Sequence, residues 1–376
     1  MKKLLRLIAL ATISVLVFTS CEGPMGHYGE RGEKGERGER GERGERGQDG
    51  KDATCNRCHL PASVAAIYKD YDEFSAHAVT QVRSSGTCAV CHTRQGFLYA
   101  VENETYSIPT GAIGRFNKTF SCTTCHSAIH GEDVYDWTLT TTAPVALIVN
   151  SGKTVDLTFD NSSSNLCLRC HQPRSINIAQ LVSNPDNVYG TLSYNAGTHY
   201  KRGILAAGAG GVELGDWSDH QNSVHVATTS CATCHMPKDN DLTGYMGHKF
   251  DIKGNFDGCN AACHGGRMSA TSSRLVTSIA EVNELLENLA DALKDKIGSG
   301  IDIVNPDGSL NIYNATSNPT GYWGASGNPA FPAVTNAQFG AIYNYHLVAR
   351  DAGARAASHN FPYVKKLLEN SIAAID

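Results

Sequence analysis

The sequence has few long apolar runs. Beyond residues 7–18 no stretch is apolar for the roughly 20 residues that a membrane-spanning helix requires, and that first run is itself too short. The polypeptide is therefore not expected to span a bilayer. Unpaired cysteine is also nearly absent: of 13 cysteines, twelve fall in six close pairs and Cys21 stands alone. Positive charge is in deficit. The formal net charge of −5 becomes −8 once Lys2, Lys3 and Arg6 leave with residues 1–20, and a chain that acidic is a poor partner for nucleic acid. Hydrophobic residues are not lacking, at 41% of 376 residues with 18% charged, so a folded protein with room for two ordinary domains is expected rather than disorder.

The amino terminus reads as an export signal. A basic start, an apolar run and small polar Thr19 and Ser20 precede Cys21, and "VFTSC" resembles the lipoprotein box of bacteria with Phe18 where Leu is commoner. Lipid on Cys21 would anchor the mature chain to a membrane, with several acyl chains needed for stable attachment. Glycine then recurs at every third position from Gly23 to Gly50, ten in register, mostly with Glu-Arg or Glu-Lys between. This is the G-X-Y pattern of a collagen triple helix, where only hydrogen fits at the three-chain axis. Pro24 is its one proline. If the triple helix forms, the repeat 23–50 within the stalk at residues 21–52 is a rod of roughly 85 Å at about 3.1 Å per residue, and the protein is a homotrimer at its base; otherwise it is a flexible tether.

The cysteine pairs are the most informative feature. They read "CNRCH" (Cys55, Cys58, His59), "CAVCH" (Cys88, Cys91, His92), "CTTCH" (Cys122, Cys125, His126), "CLRCH" (Cys167, Cys170, His171), "CATCH" (Cys231, Cys234, His235) and "CNAACH" (Cys259, Cys263, His264). Histidine follows the second cysteine six times out of six, although only 15 of 376 residues are histidine. Disulfides or zinc ribbons do not require that. Haem attachment does: two thiols add to the vinyl groups of one porphyrin, and the adjacent imidazole reaches the iron. Six c-type haems are expected. The sixth motif has three residues between its cysteines instead of two, which leaves a disulfide there as the alternative.

Each iron needs a ligand on its second face. Nine histidines lie outside the motifs, and His27 sits in the glycine repeat, so eight remain for six irons. His130 lies four residues after His126, about one helical turn, and so serves a neighbouring haem rather than the far side of its own. His77 and His225 precede motifs, and His248 lies between the fifth and the sixth. His220 and His346 are reserves, whose simplest reading is a solvated or supporting histidine. Met246 and Met268 are alternative ligands that would raise a haem's potential.

At "CHTRQGF", "CATCHMP" followed by "GHKFD", "DGCNAACH" and "HNFPYVKKLL", the chain resembles the multihaem c-type cytochromes of bacteria and archaea, in particular lipoprotein-type members with many bis-histidine haems. The similarity covers residues 55–376. The last segment also resembles the C-terminal helix of the nitrite-reductase and hydroxylamine-oxidoreductase relatives, but the lysine-containing catalytic motif of cytochrome c nitrite reductases is absent. The resemblance favours His199 and His359, completing a distal set of His77, His130, His199, His225, His248 and His359.

The expected fold is that of a multihaem cytochrome c, mainly α and irregular with little β and a core packed with haem. The expected organisation is a signal peptide at 1–20, the stalk at 21–52, a hexahaem domain at 53–266, and a helical region at 267–376 packing on the haems. Val145, Leu147 and Val149, then "NSGK", then Val155 and Leu157 predict one hairpin. Leu275, Ile279, Val282, Leu286, Leu289, Leu293 and Ile297 predict an amphipathic helix; a second starts at Thr335 and Gln338 as a capping box and runs to about Ala352; a third starts near Phe361. The implied function is electron transfer between periplasmic or outer-membrane donors and redox partner proteins or an extracellular acceptor, from a lipid-anchored position at the outer membrane or cell surface, facing outward or into the periplasm. Assembly into a filament is the further possibility the resemblance raises. No catalytic residue is assigned. The alternative is a multihaem reductase of a small nitrogen or sulfur oxyanion with one open iron; an adhesive collagen-like protein has less support, because the haem motifs cover far more of the chain than the repeat.

Overall fold

The computed structural model describes residues 64–84, 86–113, 119–127, 137–150, 152–173, 178–189, 202–236, 247–250, 252, 256–297, 334–349 and 356–376. All belong to one compact unit, Ala53–Asp376. Cys21, the glycine repeat, the first motif with Cys55, Cys58 and His59, and the candidates His130, His199 and Met246 lie outside the described residues, as does the Asn- and Gly-rich segment 305–332. The described chain is mainly helical with little strand. Among the described residues, no helix is long and apolar enough to cross a membrane.

Among the described residues up to 264 the helices are short. The longest are α1, Val64–Phe74, and α2, Arg94–Glu102, and the motifs themselves form single turns such as Cys88–His92 and Cys231–His235. The expected hairpin is present but brief. Strand β1, Val145–Ala146, pairs antiparallel with β2, Thr154–Val155, and Val145 lies opposite Val155. Val145, Leu147, Val155 and Leu157 point inward and pack with Leu168, Ile204 and Ala209. Two buried amides fasten this hairpin to the fourth motif. The Asn165 carbonyl oxygen accepts from Leu157 N–H at 2.9 Å, and Gln172, next to His171, accepts from Ile148 N–H at 2.9 Å while donating to the Tyr106 hydroxyl at 3.0 Å.

Three longer helices follow. Helix α3, Ser273–Ile297, buries Val282, Leu286, Leu289, Ala290, Leu293 and Ile297, a stripe at spacings of three and four that faces the core. Helix α4, Asn336–Ala349, is buried on every side, as befits an apolar helix at the centre. Its capping box closes as expected: Gln338 N–H donates to Thr335 Oγ1 at 3.1 Å, and Thr335 N–H to Gln338 Oε1 at 2.9 Å. Helix α5, Ala357–Ala373, begins one turn earlier than its apolar pattern suggests. It is kinked at Asn360 (φ −161°, ψ 82°), and Pro362 starts the second part. The fully buried Asn360 acts as the internal cap, its Oδ1 accepting from Tyr363 N–H at 3.4 Å and from Ser223 N–H at 3.0 Å.

These helices share their core with the motif-bearing region. Leu205, Val212 and Leu214 pack among Leu289, Phe339, Ile342 and Leu367. Buried polar groups hold the segment in register. Asn344 accepts from Val212 N–H and donates to Val212 C=O, both at 2.8 Å, and Tyr343 donates to the Gly210 carbonyl at 2.7 Å. A Cβ at Gly211 would lie 2.5 Å from the end of the Leu367 side chain, so a larger residue here would force that side chain to move.

Candidate functional site

Five of the six motifs lie within the described residues, and each is a helical turn that brings its two cysteines to one side. Local chemistry starts these turns. In "SCATCH", Thr233 N–H donates to Ser230 Oγ at 3.1 Å and Ser230 N–H to Thr233 Oγ1 at 3.2 Å, a reciprocal cap. In "SCTTCH", Ser121 N–H likewise reaches Thr124 Oγ1 at 3.0 Å.

The sixth motif accommodates its extra residue by widening the turn. Asn260–His264 is a π-helix in which Gly265 N–H donates to the Asn260 carbonyl at 2.9 Å, five residues back. A π turn takes up one residue more than an α turn, so Cys263 returns beneath Cys259 much as the third residue does in the other motifs. Asn260 pins the turn by donating to the Met268 carbonyl at 2.9 Å and accepting from Met268 N–H at 2.8 Å. The ten described cysteines, Cys259 and Cys263 included, are all free of disulfides.

The motifs pack against one another. The Arg94 guanidinium beside the second motif donates to Thr123 Oγ1 of the third at 2.6 Å, and the Cys170 thiol of the fourth lies 3.9 Å from the Val90 carbonyl of the second. Cys231 N–H of the fifth donates to Ser164 Oγ, beside the fourth, at 2.9 Å. Gly258 of the sixth passes so close to the fifth that a Cβ would sit 2.0 Å from the Thr233 carbonyl.

Three motif imidazoles are oriented by backbone carbonyls. His92 Nδ1 donates to Gln81 C=O at 2.9 Å, His126 Nδ1 to Trp137 C=O at 2.9 Å, and His235 Nδ1 to Phe250 C=O at 3.3 Å. With Nδ1 carrying the proton, Nε2 presents its lone pair to a metal.

Opposite four of the motif histidines stands a second histidine. Ring centres are 5.9 Å apart for His171 and His77, 6.4 Å for His126 and His248, 6.2 Å for His264 and His225, and 6.3 Å for His235 and His359. This spacing carries chemical information. With metal–imidazole bonds of about 2 Å and roughly 1.1 Å from ring nitrogen to ring centre, two imidazoles on opposite faces of one metal ion have centres about 6.2 Å apart. Among the described residues, no group of three or more His, Cys, Asp or Glu side chains forms a metal cage. A porphyrin brings four nitrogens of its own, so two imidazoles complete its iron and the pairs fit that group.

Two buried donors point the same way. Tyr71 Oη and Arg169 Nε are buried without a hydrogen-bond partner. Arg169 belongs to the fourth motif, and Tyr71 lies by the third: burial first, and then the thiols of Cys125 and Cys122, push its phenol pKa up, so it remains a donor. Carboxylates such as haem propionates would satisfy both. Burial pushes the thiol of Cys125 up to about 11, followed by the effect of Cys122. Burial and then His264 hold His225 below the ordinary imidazole range, which favours the neutral form that ligates.

The reserve histidines are placed differently. His220 Nε2 lies 3.1 Å from Asn222 Oδ1, and its ring packs against Trp217 and Tyr363. His346 is 1% exposed, a core residue of α4 beside Tyr345; of the solvated and supporting roles expected for it, burial removes the first. Sequence reasoning missed Gln81, Trp137 and Phe250, which act through their carbonyls and so carry no side-chain signature, and also Tyr71 and Arg169. Compared with family models, with curated proteins and with solved structures, the chain matches none.

Proposed function

We propose that this chain is an exported multihaem c-type cytochrome, lipid-anchored through Cys21, whose six covalent haems conduct electrons between donors in the cell envelope and a redox partner protein or extracellular acceptor. The observation that carries the reading is the set of four imidazole pairs, each joining a motif histidine to a distant histidine at 5.9 to 6.4 Å between ring centres. When bound, haem supplies an iron that takes up and releases single electrons.

The chain's own residues do the rest. Twelve cysteines tether the groups: Cys55 and Cys58, Cys88 and Cys91, Cys122 and Cys125, Cys167 and Cys170, Cys231 and Cys234, and Cys259 and Cys263. His59, His92, His126, His171, His235 and His264 bind from the motif side. His77 pairs with His171, His225 with His264, His248 with His126 and His359 with His235, which leaves His130 and His199 for the irons of His59 and His92. Two imidazoles for each haem would leave its iron no open position for a substrate, which favours transfer over chemistry. The motif-to-motif contacts keep successive groups close, and Tyr71 and Arg169 hold carboxylates at their edges.

The glycine repeat then acts as a spacer that lets the redox domain reach a partner away from the lipid surface. Pyridine haemochrome analysis of the purified protein is expected to give six haems per chain, and a count of two or fewer would refute the reading.

A further inference from the structure

Phe250 stands out within the segment 247–250. Its φ is +56°, in the left-handed region that bulky residues avoid and glycine enters freely. A phenylalanine kept in that conformation is there for its ring. The ring meets His77 edge-on, with centres 4.9 Å apart and planes at 90°, and meets His248 in the same manner at 5.8 Å and 81°. Its carbonyl meanwhile accepts the Nδ1 proton of His235 at 3.3 Å.

These three imidazoles belong to three different pairs: His77 with His171, His248 with His126, and His235 with His359. The segment is itself held in place. Lys249 pairs with Asp70 at 3.5 Å and lies over the Phe74 ring at 5.3 Å, both on α1, the helix that leads into His77.

We propose that Phe250 is a positioning residue shared by three ligand pairs, its ring fixing the imidazole planes of His77 and His248 and its carbonyl fixing His235. The inference rests on the bis-histidine reading above. Edge-to-face contact resists rotation of an imidazole about its metal–nitrogen axis, and the orientation of ligand planes shapes the magnetic anisotropy of a low-spin iron. One residue would thereby influence the ligand planes of neighbouring haems together.

The test uses the full-length, haem-loaded protein and its variants Phe250→Leu, Phe250→Gly and Phe250→Tyr, with haem counted by pyridine haemochrome and g-values read by low-temperature electron paramagnetic resonance. Signals lost in His77→Ala and in His248→Ala identify the two affected irons. Phe250→Leu and Phe250→Gly are expected to shift the g-values of those two signals, and Phe250→Tyr, which keeps the ring, to leave them in place. Because glycine relieves the backbone and retains the carbonyl, a shift common to Leu and Gly belongs to the ring. Loss of haem in Leu and Gly with a full count in Tyr supports the same conclusion. Superimposable spectra for Leu and the parent at full haem count would overturn the proposal, as would equal disturbance by Tyr. The bis-histidine reading fails separately, in the parent protein, if most of its irons are high spin.

Discussion

His77, His225, His248 and His359 come from four separate stretches of chain, yet each stands about the same distance from a motif histidine. That recurrence makes a sharp prediction at this scale. Replacing any one of the four by alanine is expected to convert one haem of six to high spin, visible as a charge-transfer band in the oxidised spectrum, and to leave the other five unchanged. His220→Ala is expected to convert none, since its imidazole is engaged with Asn222; His346→Ala is expected to lower stability without a spin change. A high-spin signal in His346→Ala would reassign a ligand. The motif turns were legible from the sequence because thiol pairs followed by histidine are local in the chain. Which distal histidine meets which motif was not legible: His77 reaches His171, 94 positions further along the chain, and no spacing rule spans that.

Among the elements, the long C-terminal helices were the most readable, because an apolar stripe at helical spacing and a capping box are local patterns. The start of α5 was misjudged by one turn, since the internal cap at Asn360 depends on Asn222 and Ser223 far away in sequence. The same long-range polar contacts carry stability. Asn344→Ala strips hydrogen bonds from Val212 N–H and C=O and from Ser371 Oγ, all buried, and is expected to destabilise by about 2–4 kcal/mol, measured by thermal or denaturant unfolding of the haem-loaded protein. Thr335→Ala removes one side of the α4 capping box and is expected to cost about 1 kcal/mol. An Asn344→Ala protein as stable as the parent would mean that the segment around Val212 is held by apolar packing alone. The π turn of the sixth motif was not legible either: the spacing "CNAACH" announces an extra residue but not where the backbone absorbs it.

At the scale of the whole molecule, the proposed export signal, lipid site, glycine-repeat spacer and haem-bearing domain would together form one device for carrying electrons away from a membrane. Sedimentation of the intact protein against a version lacking residues 23–50 is expected to give a trimer and a monomer respectively; monomers in both would reduce the repeat to a tether. The domain was hard to read as a fold because its core is shared: Leu205, Val212 and Leu214 from between the fourth and fifth motifs pack among the C-terminal helices, so neither half closes its own interior. The central claim, that every iron is closed on both faces by imidazole, is tested most directly by low-temperature electron paramagnetic resonance on the oxidised, purified protein. The account predicts low-spin signals from all six haems and no change on adding nitrite or hydroxylamine. A high-spin component near one-sixth of the total that shifts with either ligand would contradict it and point to an open iron with a substrate.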